Sequence, residues 1–338
     1  MNRFWSIPMA LALVVCSCTV STETEKYQRR RNNIIDVRDK ITEIKIDDPI
    51  LNSLNRLYLI EDYLIIQDFQ ALDKLIHLFD KNDFSYVTGV GYRGQGPDEL
   101  TNMGYITVDK ARHSFYVNDY GKQKIFVYHL DSVLSNPAYA PEVKMEINET
   151  IFPSRFQLIN DSIAICRIIE PIGTNNFKPM PGKMNMNTGE ITLMKYEHPK
   201  IKTDRKRSSV AASIEHGLYA EYYERFDLMT LCTLDGDLIC NIYGPGWKND
   251  DRRTKYYQNV VFCGDKIYAS YSGGKPFDEQ MRSIQGTKII VFDMQGNYIH
   301  TLETGLHISD FCYDGDNNRL LLSQYAGDND IQFAYLPL

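Results

Sequence analysis

A pattern of about 50 residues recurs along the chain and limits its possible folds more than any other feature of the sequence. Each copy has a turn, a short apolar strand, a few residues, a second apolar strand and another turn. Equivalent apolar positions in six copies are spaced by 51, 48, 55, 49 and 53 residues: Leu64, Phe115, Ile163, Leu218, Ile267 and Leu320. Repeats of this length, built from several short strands, are typical of the blades of a β-propeller.

The composition of the repeats favours strands and tight turns. Aromatic residues make up 12% of the chain, and Tyr and Phe fit half-buried pleated surfaces. Asn, Asp and Gly recur in predicted hairpin turns, for example in 234–237 and 294–297, because they tolerate positive φ. Apolar residues with helical spacing occur only over short stretches, at 131–135 and 276–282. The sequence therefore predicts an all-β, six-bladed β-propeller with four-stranded antiparallel blades.

The two ends of the predicted domain suggest how the ring closes. The last repeat has three predicted strands, at 307–312, 319–323 and 330–336. Residues 40–46 alternate polar and apolar side chains and precede the first complete repeat. We expect this N-terminal strand to become the outer strand of the last blade, because such pairing removes two exposed sheet edges.

The first 17 residues have the features of a secretory signal peptide. Arg3 is followed by an apolar stretch of about ten residues, which is shorter than the roughly 20 residues of a membrane-spanning helix. The stretch ends in Leu13-Val14-Val15-Cys16-Ser17-Cys18. This segment resembles the lipobox of bacterial lipoproteins, with Val15 and Ser17 at its −3 and −1 positions.

The lipobox resemblance implies cleavage before Cys18 and attachment of lipid to the sulfur and amine of Cys18. Cys16 fits this role less well, because Val15 would then occupy the small-residue position. The alternative is a secreted protein with two incidental cysteines. Residues 18–33 are polar and aperiodic, so we predict a flexible tether followed by the propeller at 34–338. Arg29–Arg31 are either solvated linker charges or contacts to anionic lipid headgroups.

Charge and cysteine content exclude several functional classes. The chain has 37 basic and 44 acidic residues, for a net charge of −7, which is not the footprint of a nucleic-acid-binding protein. The largest basic cluster lies at 200–207 and is predicted to be an exposed loop. Five cysteines beyond Cys18 form no zinc-binding spacing, and those in apolar strands are expected to be buried thiols. We predict neither a metal site nor a cofactor.

One glycine-rich segment carries a family resemblance. Residues 89–100 read Gly-Val-Gly-Tyr-Arg-Gly-Gln-Gly-Pro-Asp-Glu-Leu. Gly94, Gly96, Pro97, Glu99 and Leu100 match the G-x-G-P-x-E-[FYL] segment of TolB-like six-bladed propeller lipoproteins of Gram-negative bacteria. The resemblance implies a propeller fold and an envelope location. It implies no defined biochemical activity.

The same segment contains a GxGxxG pattern that can also indicate dinucleotide binding. That function requires the glycines to open a helix facing the pyrophosphate. Gly96-Pro97 cannot begin such a helix, and no βαβ unit surrounds the segment. We therefore interpret Gly94, Gly96, Pro97 and Glu99 as a structural loop between blades, with Glu99 expected to accept backbone N–H bonds.

The central channel of the ring is the predicted binding region. The seven histidines are dispersed, and no HExxH or nucleophile-elbow motif is present. Arg155, Asn259 and Asp310 each precede an apolar segment of a predicted innermost strand. We predict that these three polar residues line the channel, with contacts to loop backbone groups or channel water as the alternative.

These features indicate a lipid-anchored, monomeric propeller domain in the cell envelope, at the outer membrane and facing the periplasm or the exterior. The first hypothesis is a binding module for a protein or glycan ligand. The alternative is an envelope enzyme, a glycan hydrolase or lyase with its site at the channel mouth. A structural scaffold within an envelope complex is a third possibility.

The lipid anchor can be tested by replacing Cys18. The Cys18→Ala variant should move from the membrane fraction to the soluble envelope fraction, because it lacks the acylated sulfur, whereas Cys16→Ala should stay in the membrane fraction. Immunoblotting of the two fractions measures this. If Cys18→Ala stays in the membrane fraction as much as the unmodified chain does, the predicted lipid anchor is wrong.

Overall fold

The computed structural model describes residues 22–136, 138–174, 176–201, 206–249, 251, 253–275, 286–325 and 331–338. These residues form six sheets of four or five strands, each of which is one blade. The innermost strands of the blades contact one another in ring order, including a contact between the last blade and the first. The six-bladed β-propeller predicted from the repeat is therefore confirmed.

The strands of the first three blades follow one another along the chain, from the ring axis outwards. Blade 1 contains β4 (Asn55–Ile60), β5 (Tyr63–Asp68), β6 (Lys74–Asp80) and β7 (Tyr86–Tyr92). Blade 2 contains β8 (Met103–Asp109), β9 (Ser114–Asp119), β10 (Lys124–His129) and β11 (Glu142–Glu146). Blade 3 contains β12 (Phe152–Leu158), β13 (Ile163–Gly173), β14 (Asn176–Asn185) and β15 (Ile191–Leu193).

The other three blades each include a strand from the N-terminal segment. Blade 4 contains β16 (Ser208–Ser213), β17 (Leu218–Tyr223), β18 (Leu228–Thr233), β19 (Leu238–Tyr243) and β1 (Glu25–Tyr27). Blade 5 contains β20 (Lys255–Cys263), β21 (Lys266–Gly274), β22 (Lys288–Asp293), β23 (Tyr298–Glu303) and β2 (Ile34–Asp36). Blade 6 contains β24 (Ile308–Asp314), β25 (Arg319–Gln324), β26 (Phe333–Pro337) and β3 (Thr42–Ile44).

Among the residues that the structure describes, helical structure is confined to short connections. One α-helix, α1, spans Leu130–Ser135, in agreement with the helical spacing at 131–135. Two 3-10 helices span Arg38–Lys40 and Lys110–Arg112. The other predicted helix, at 276–282, lies outside the described residues. Across the described ranges, no helix has the length and apolar character required to cross a membrane.

The ring closes through the predicted N-terminal strand. Strand β3 pairs antiparallel with β26, so that Ile44 lies opposite Phe333 and Thr42 opposite Tyr335. Ile44 is buried in a cluster that includes Leu321 and Phe333. The closure predicted from residues 40–46 is confirmed, and the paired residues are 42–44.

The apolar core lies between neighbouring blades. Ile65 and Leu78 of blade 1 share a buried cluster with Phe115 and Tyr128 of blade 2. The rings of Phe115 and Tyr128 stack with their centroids 5.1 Å apart. The aromatic residues of the repeats therefore contribute to packing between blades, where burial stabilises the fold most.

Residues 22–33 are not the flexible tether predicted from their polarity. Strand β1 pairs in parallel with β19, and the rings of Tyr27 and Tyr243 stack with their centroids 4.4 Å apart. Lys26 Nζ donates to Gln295 O at 2.6 Å, across to a turn of blade 5. The parallel pairing covers an outer blade edge that would otherwise expose unpaired backbone groups, so this segment belongs to the propeller.

Arg31 anchors the N-terminal segment between blades 4 and 5. Its Nη1 lies 3.3 Å from Oδ1 of Asp227, and the two side chains are 7% and 0% exposed. Its Nη2 donates to the Tyr257 hydroxyl at 2.7 Å, and its guanidinium lies 5.0 Å from the Tyr271 ring centroid. Arg31 is therefore neither a solvated linker charge nor a contact to lipid headgroups. Arg29 and Arg30 are exposed, so both interpretations stay open for them.

The glycine-rich segment forms the connection between blades 1 and 2. Glu99 Oε2 accepts a hydrogen bond from Gly96 N at 2.7 Å. A Cβ atom at position 94 would lie only 1.9 Å from the same oxygen. Lys122 donates to the carbonyl of Gly96 and, at 3.2 Å, to that of Pro97. The loop is thus held by its own carboxylate and by a lysine of blade 2.

Replacing Arg31 should weaken the propeller far more than replacing its neighbour. Arg31→Ala leaves the buried Asp227 carboxylate without its cation, at a cost of about 3–5 kcal/mol. Arg30→Ala removes an exposed arginine and should change stability by less than ~0.5 kcal/mol. Urea unfolding of the two variants measures the difference. Equal effects would show that the segment is not held by this ion pair.

Substitution at position 94 should disrupt the inter-blade loop. Gly94→Ala forces Glu99 away from Gly96 N and should cost about 1 kcal/mol, since a partly buried, charge-assisted hydrogen bond is lost. Gly286→Ala is the matched control, because its nearest heavy atom to an added Cβ is 3.5 Å away. Thermal unfolding compares the two variants, and a neutral Gly94→Ala contradicts this role of Glu99.

Candidate functional site

A cavity of about 610 Å³ lies on the ring axis. Its walls come from the innermost strands β4, β8, β12, β20 and β24, so five blades contribute to one space. At one end it reaches Lys110, Arg112, Asn160 and Asp161, in the turns after the innermost strands of blades 2 and 3. We call this space the axial cavity.

The three predicted channel residues meet in the wall of the axial cavity. Nη1 and Nη2 of Arg155 both lie 3.3 Å from Asn259 Oδ1. Asn259 Nδ2 donates to Asp310 Oδ1 at 2.7 Å, and Asp310 Oδ2 accepts from Leu57 N at 2.9 Å. This hydrogen-bonded relay links blades 3, 5, 6 and 1. Residues 51 or more positions apart are brought together because each lies at a similar level of an innermost strand.

Two further residues, Arg56 and Tyr105, complete this polar layer and are not among the predicted channel residues. The guanidinium carbon of Arg56 lies 3.7 Å from the Tyr105 ring centroid, and that of Arg155 lies 5.5 Å from it. Arg56 and Tyr105 hold the same position in their innermost strands as Arg155 holds in its own: Arg56 comes directly before 57–59 and Tyr105 directly before 106–108. The criterion that predicts Arg155, Asn259 and Asp310 would therefore identify both residues if it were applied to all six blades. We call Arg56, Tyr105, Arg155, Asn259 and Asp310 the hub.

Guanidinium groups outnumber carboxylates in the hub, where Arg56 and Arg155 accompany the single carboxylate of Asp310. Burial raises the pKa of the Tyr105 hydroxyl, but the guanidinium groups of Arg56, Arg167 and Arg155 outweigh this and bring the pKa below its usual value. Desolvation raises the pKa of Asp310 above its usual range, although Arg56 and Arg155 oppose the shift. Several guanidiniums therefore act on a region with one carboxylate.

The other carboxylates of the axial cavity are paired at its mouth. Arg112 Nη1 lies 3.0 Å from Asp109 Oδ2, and its Nη2 lies 3.5 Å from Asp161 Oδ1. Asp109 and Asp161 thus share one cation, away from Asp310.

The described part of the chain offers neither a metal-ligand cluster nor an activated thiol. It contains no group of three or more His, Cys, Asp or Glu side chains placed to hold an ion. Its five cysteines are free, and four of them are buried. Burial raises the pKa of Cys232 to about 12 and that of Cys240 to about 11, so neither thiol forms the reactive thiolate near neutral pH.

The basic segment at 200–207 is not simply an exposed loop. Lys206 Nζ lies 2.9 Å from Glu221 Oε1, and the two side chains are 1% and 2% exposed. Arg207 Nη2 donates to Asn176 Oδ1 at 3.1 Å, on the hairpin of blade 3. Residues 202–205 and the predicted lipid-bearing Cys18 lie outside the described residues.

Comparison with known proteins supports the fold. A family model described as a six-bladed beta-propeller matches residues 44–145. No curated protein sequence is significantly similar to this chain. Similar solved structures include a member of the DUF4221 family from Bacteroides vulgatus, with a TM-score of 0.61, 12% identity, and coverage of 88% of this chain and 97% of that chain.

Two other structures show the same level of similarity. A putative exported protein from Bacteroides fragilis has a TM-score of 0.54, 10% identity, and coverage of 93% of this chain and 98% of that chain. Regucalcin from Agrobacterium tumefaciens, described as a calcium-binding protein, has a TM-score of 0.54, 8% identity, and coverage of 93% and 95%. At these identities the similarity shows the fold alone. The chain is similar to six-bladed propellers, and its resemblance to TolB-like lipoproteins stays a prediction.

Proposed function

We propose that this protein is a lipid-anchored binding module of the cell envelope whose ligand occupies the axial cavity. The observation that carries the proposal is the hub, where polar side chains from five blades converge on one space of about 610 Å³. Ligand pockets are commonly concave spaces of this size with a few convergent polar groups. The hub residues are fixed by inter-blade hydrogen bonds, so the site is formed before a ligand arrives.

The geometry favours binding over catalysis. Most glycan hydrolases use two carboxylates that flank the scissile bond. Here Asp109 and Asp161 are both held by Arg112, and Asp310 is hydrogen-bonded to Asn259 within the hub. The calcium bound by some proteins of this fold takes six to eight oxygen ligands. Here Arg56 and Arg155 lie next to the single hub carboxylate and would repel a cation.

The N-terminal segment supports a short connection to the membrane. Strand β1 begins at Glu25, seven residues after Cys18, and seven extended residues span at most about 25 Å. A lipid on Cys18 would therefore hold the outer edge of blade 4 close to the bilayer. The similarity to an exported protein of Bacteroides fragilis is in keeping with an envelope location.

The proposal can be tested by filling the axial cavity. The mature chain without its lipid-bearing cysteine (19–338) and the Ser309→Trp variant of that chain are incubated with the small-molecule fraction of an envelope extract, and retained compounds are measured by mass spectrometry. Ser309 lines the cavity, so the variant should retain at least tenfold less of any specific ligand. Ser85→Trp, at an exposed turn, is the matched control.

Two outcomes would contradict the proposal. The first is retention of the same compounds by the unmodified chain and by Ser309→Trp, with both folded by circular dichroism. The second is a hydrolase or lyase activity of the mature chain that is lost when hub residues are replaced, which would favour the enzyme.

A further inference from the structure

We propose that the ligand of the axial cavity carries an oxyanion, a carboxylate, phosphate or sulfate. Arg56 and Arg155 line the cavity and bind this group, and Arg167, opposite Arg155 but outside the lining, adds a further positive charge. The inference rests on the proposed binding function and names the chemical class of its ligand. Its basis is an arrangement of arginines that costs stability unless an anion is present.

Arg155 and Arg167 lie directly opposite each other on neighbouring strands of blade 3. The register of β12 and β13 pairs them as Cα partners, so their side chains leave the same face of the sheet with Cβ atoms about 5 Å apart. Like charges in directly opposite positions destabilise a sheet. This pair is therefore unfavourable for the empty protein.

The direct hydrogen-bond partners of Arg155 are uncharged, and one carboxylate, Asp310, acts on both Arg155 and Arg56. Arg155 donates to the Tyr222 hydroxyl at 2.7 Å and to Asn259 Oδ1, which are both uncharged. Nε of Arg167 and Nη1 of Arg56 are shielded from solvent and have no hydrogen-bond acceptor within the described ranges. Guanidiniums that share a single buried carboxylate keep part of their desolvation penalty, which a bound anion would reduce.

The positive region extends from the hub towards the basic segment that follows blade 3. The Phe177 ring links the two parts, since the guanidinium carbons of Arg167 and Arg207 lie 5.6 Å and 4.5 Å from its centroid. Desolvation and the nearby Arg225 lower the pKa of Arg207 below its usual value, and Arg167 adds to this effect. The nearby carboxylate, Glu224, is already paired with Lys255.

An oxyanion suits this geometry better than a cation or a neutral sugar. Two adjacent guanidiniums supply planar, charge-assisted donors that match carboxylate and phosphate oxygens. The chain as a whole has a net charge of −7, so a positive hub is a local exception to its overall charge.

The test uses the mature chain at constant ionic strength, with sodium phosphate, sodium glucuronate, glucose and calcium chloride as probes. Thermal unfolding and isothermal titration calorimetry measure binding. We expect phosphate, glucuronate or both to raise the unfolding temperature relative to chloride, and glucose and calcium to leave it unchanged. Phosphate alone would indicate a phosphorylated ligand, and glucuronate alone an acidic sugar.

Substitutions separate recognition from a structural role. Arg167→Gln should weaken oxyanion binding at least tenfold and leave the unfolding temperature of the empty protein equal or higher, because a repulsive pair is removed. Arg167→Lys keeps the charge and should retain part of the binding. Lys195→Gln, whose side chain is 71% exposed on the outer surface, is the matched charge-removal control and should bind as the unmodified chain does.

The failure of this inference differs from the failure of the binding function. Oxyanion binding that is unchanged in Arg167→Gln, or no oxyanion effect beyond that of chloride, would overturn the inference. Destabilisation of the empty Arg167→Gln variant would also overturn it, because Arg167 would then be structural. If an uncharged ligand is lost in Ser309→Trp but retained in Arg167→Gln, the oxyanion inference fails and the binding function stands. If Ser309→Trp retains every ligand that the unmodified chain retains, the proposed binding function itself fails.

Discussion

The structure depends on closure of the ring between blades 6 and 1. Each blade is a twisted sheet that buries its faces against its neighbours, so an open ring would leave apolar faces exposed. The seam is closed at two radii. At the outside, β3 pairs with β26, and at the axis, Asp310 accepts a hydrogen bond from Leu57 N. The residue that closes the seam at the axis also belongs to the hub, so ring closure and the proposed binding site share one carboxylate.

The N-terminal segment extends this constraint to two further blades. Strands β1 and β2 cover the outer edges of blades 4 and 5 by parallel pairing, and Arg31 joins those blades through Asp227 and Tyr257. One stretch of chain thus contacts three consecutive blades before the first complete blade begins. A ring held in this way can keep charged side chains close together at its axis, where a looser ring would relax and separate them.

The propeller architecture can be predicted from the sequence because the signals of its strands and turns are local and repeated. Apolar strands, Asn, Asp and Gly turns and the alternation of residues 40–46 are visible without knowledge of distant contacts. The segment 22–33 gave no such signal, because three-residue edge strands show no periodicity and their partners lie more than 200 residues away. The burial of Arg31 follows from those distant partners, and nothing in the triplet Arg29–Arg31 distinguishes it from its neighbours.

The hub was partly predictable for the same reason. Arg155, Asn259 and Asp310 were found from their position ahead of innermost-strand residues, and Arg56 and Tyr105 obey that rule equally well. Arg167 could not be found, because its importance comes from the register that places it opposite Arg155. Register depends on how the long hairpin of blade 3 pairs, and single-sequence patterns define strand faces better than they define partners.

Amide hydrogen exchange across the seam tests the central claim, that a closed ring fixes the hub. Exchange followed by mass spectrometry gives the opening free energies of residues 42–44, 333–335 and Leu57. If the ring is closed, these amides open together, with protection comparable to that of the middle strands of blades 2 and 3. Exchange at the seam that is much faster than in those strands, as expected for a frayed terminus, would show that the ring is not closed in this way.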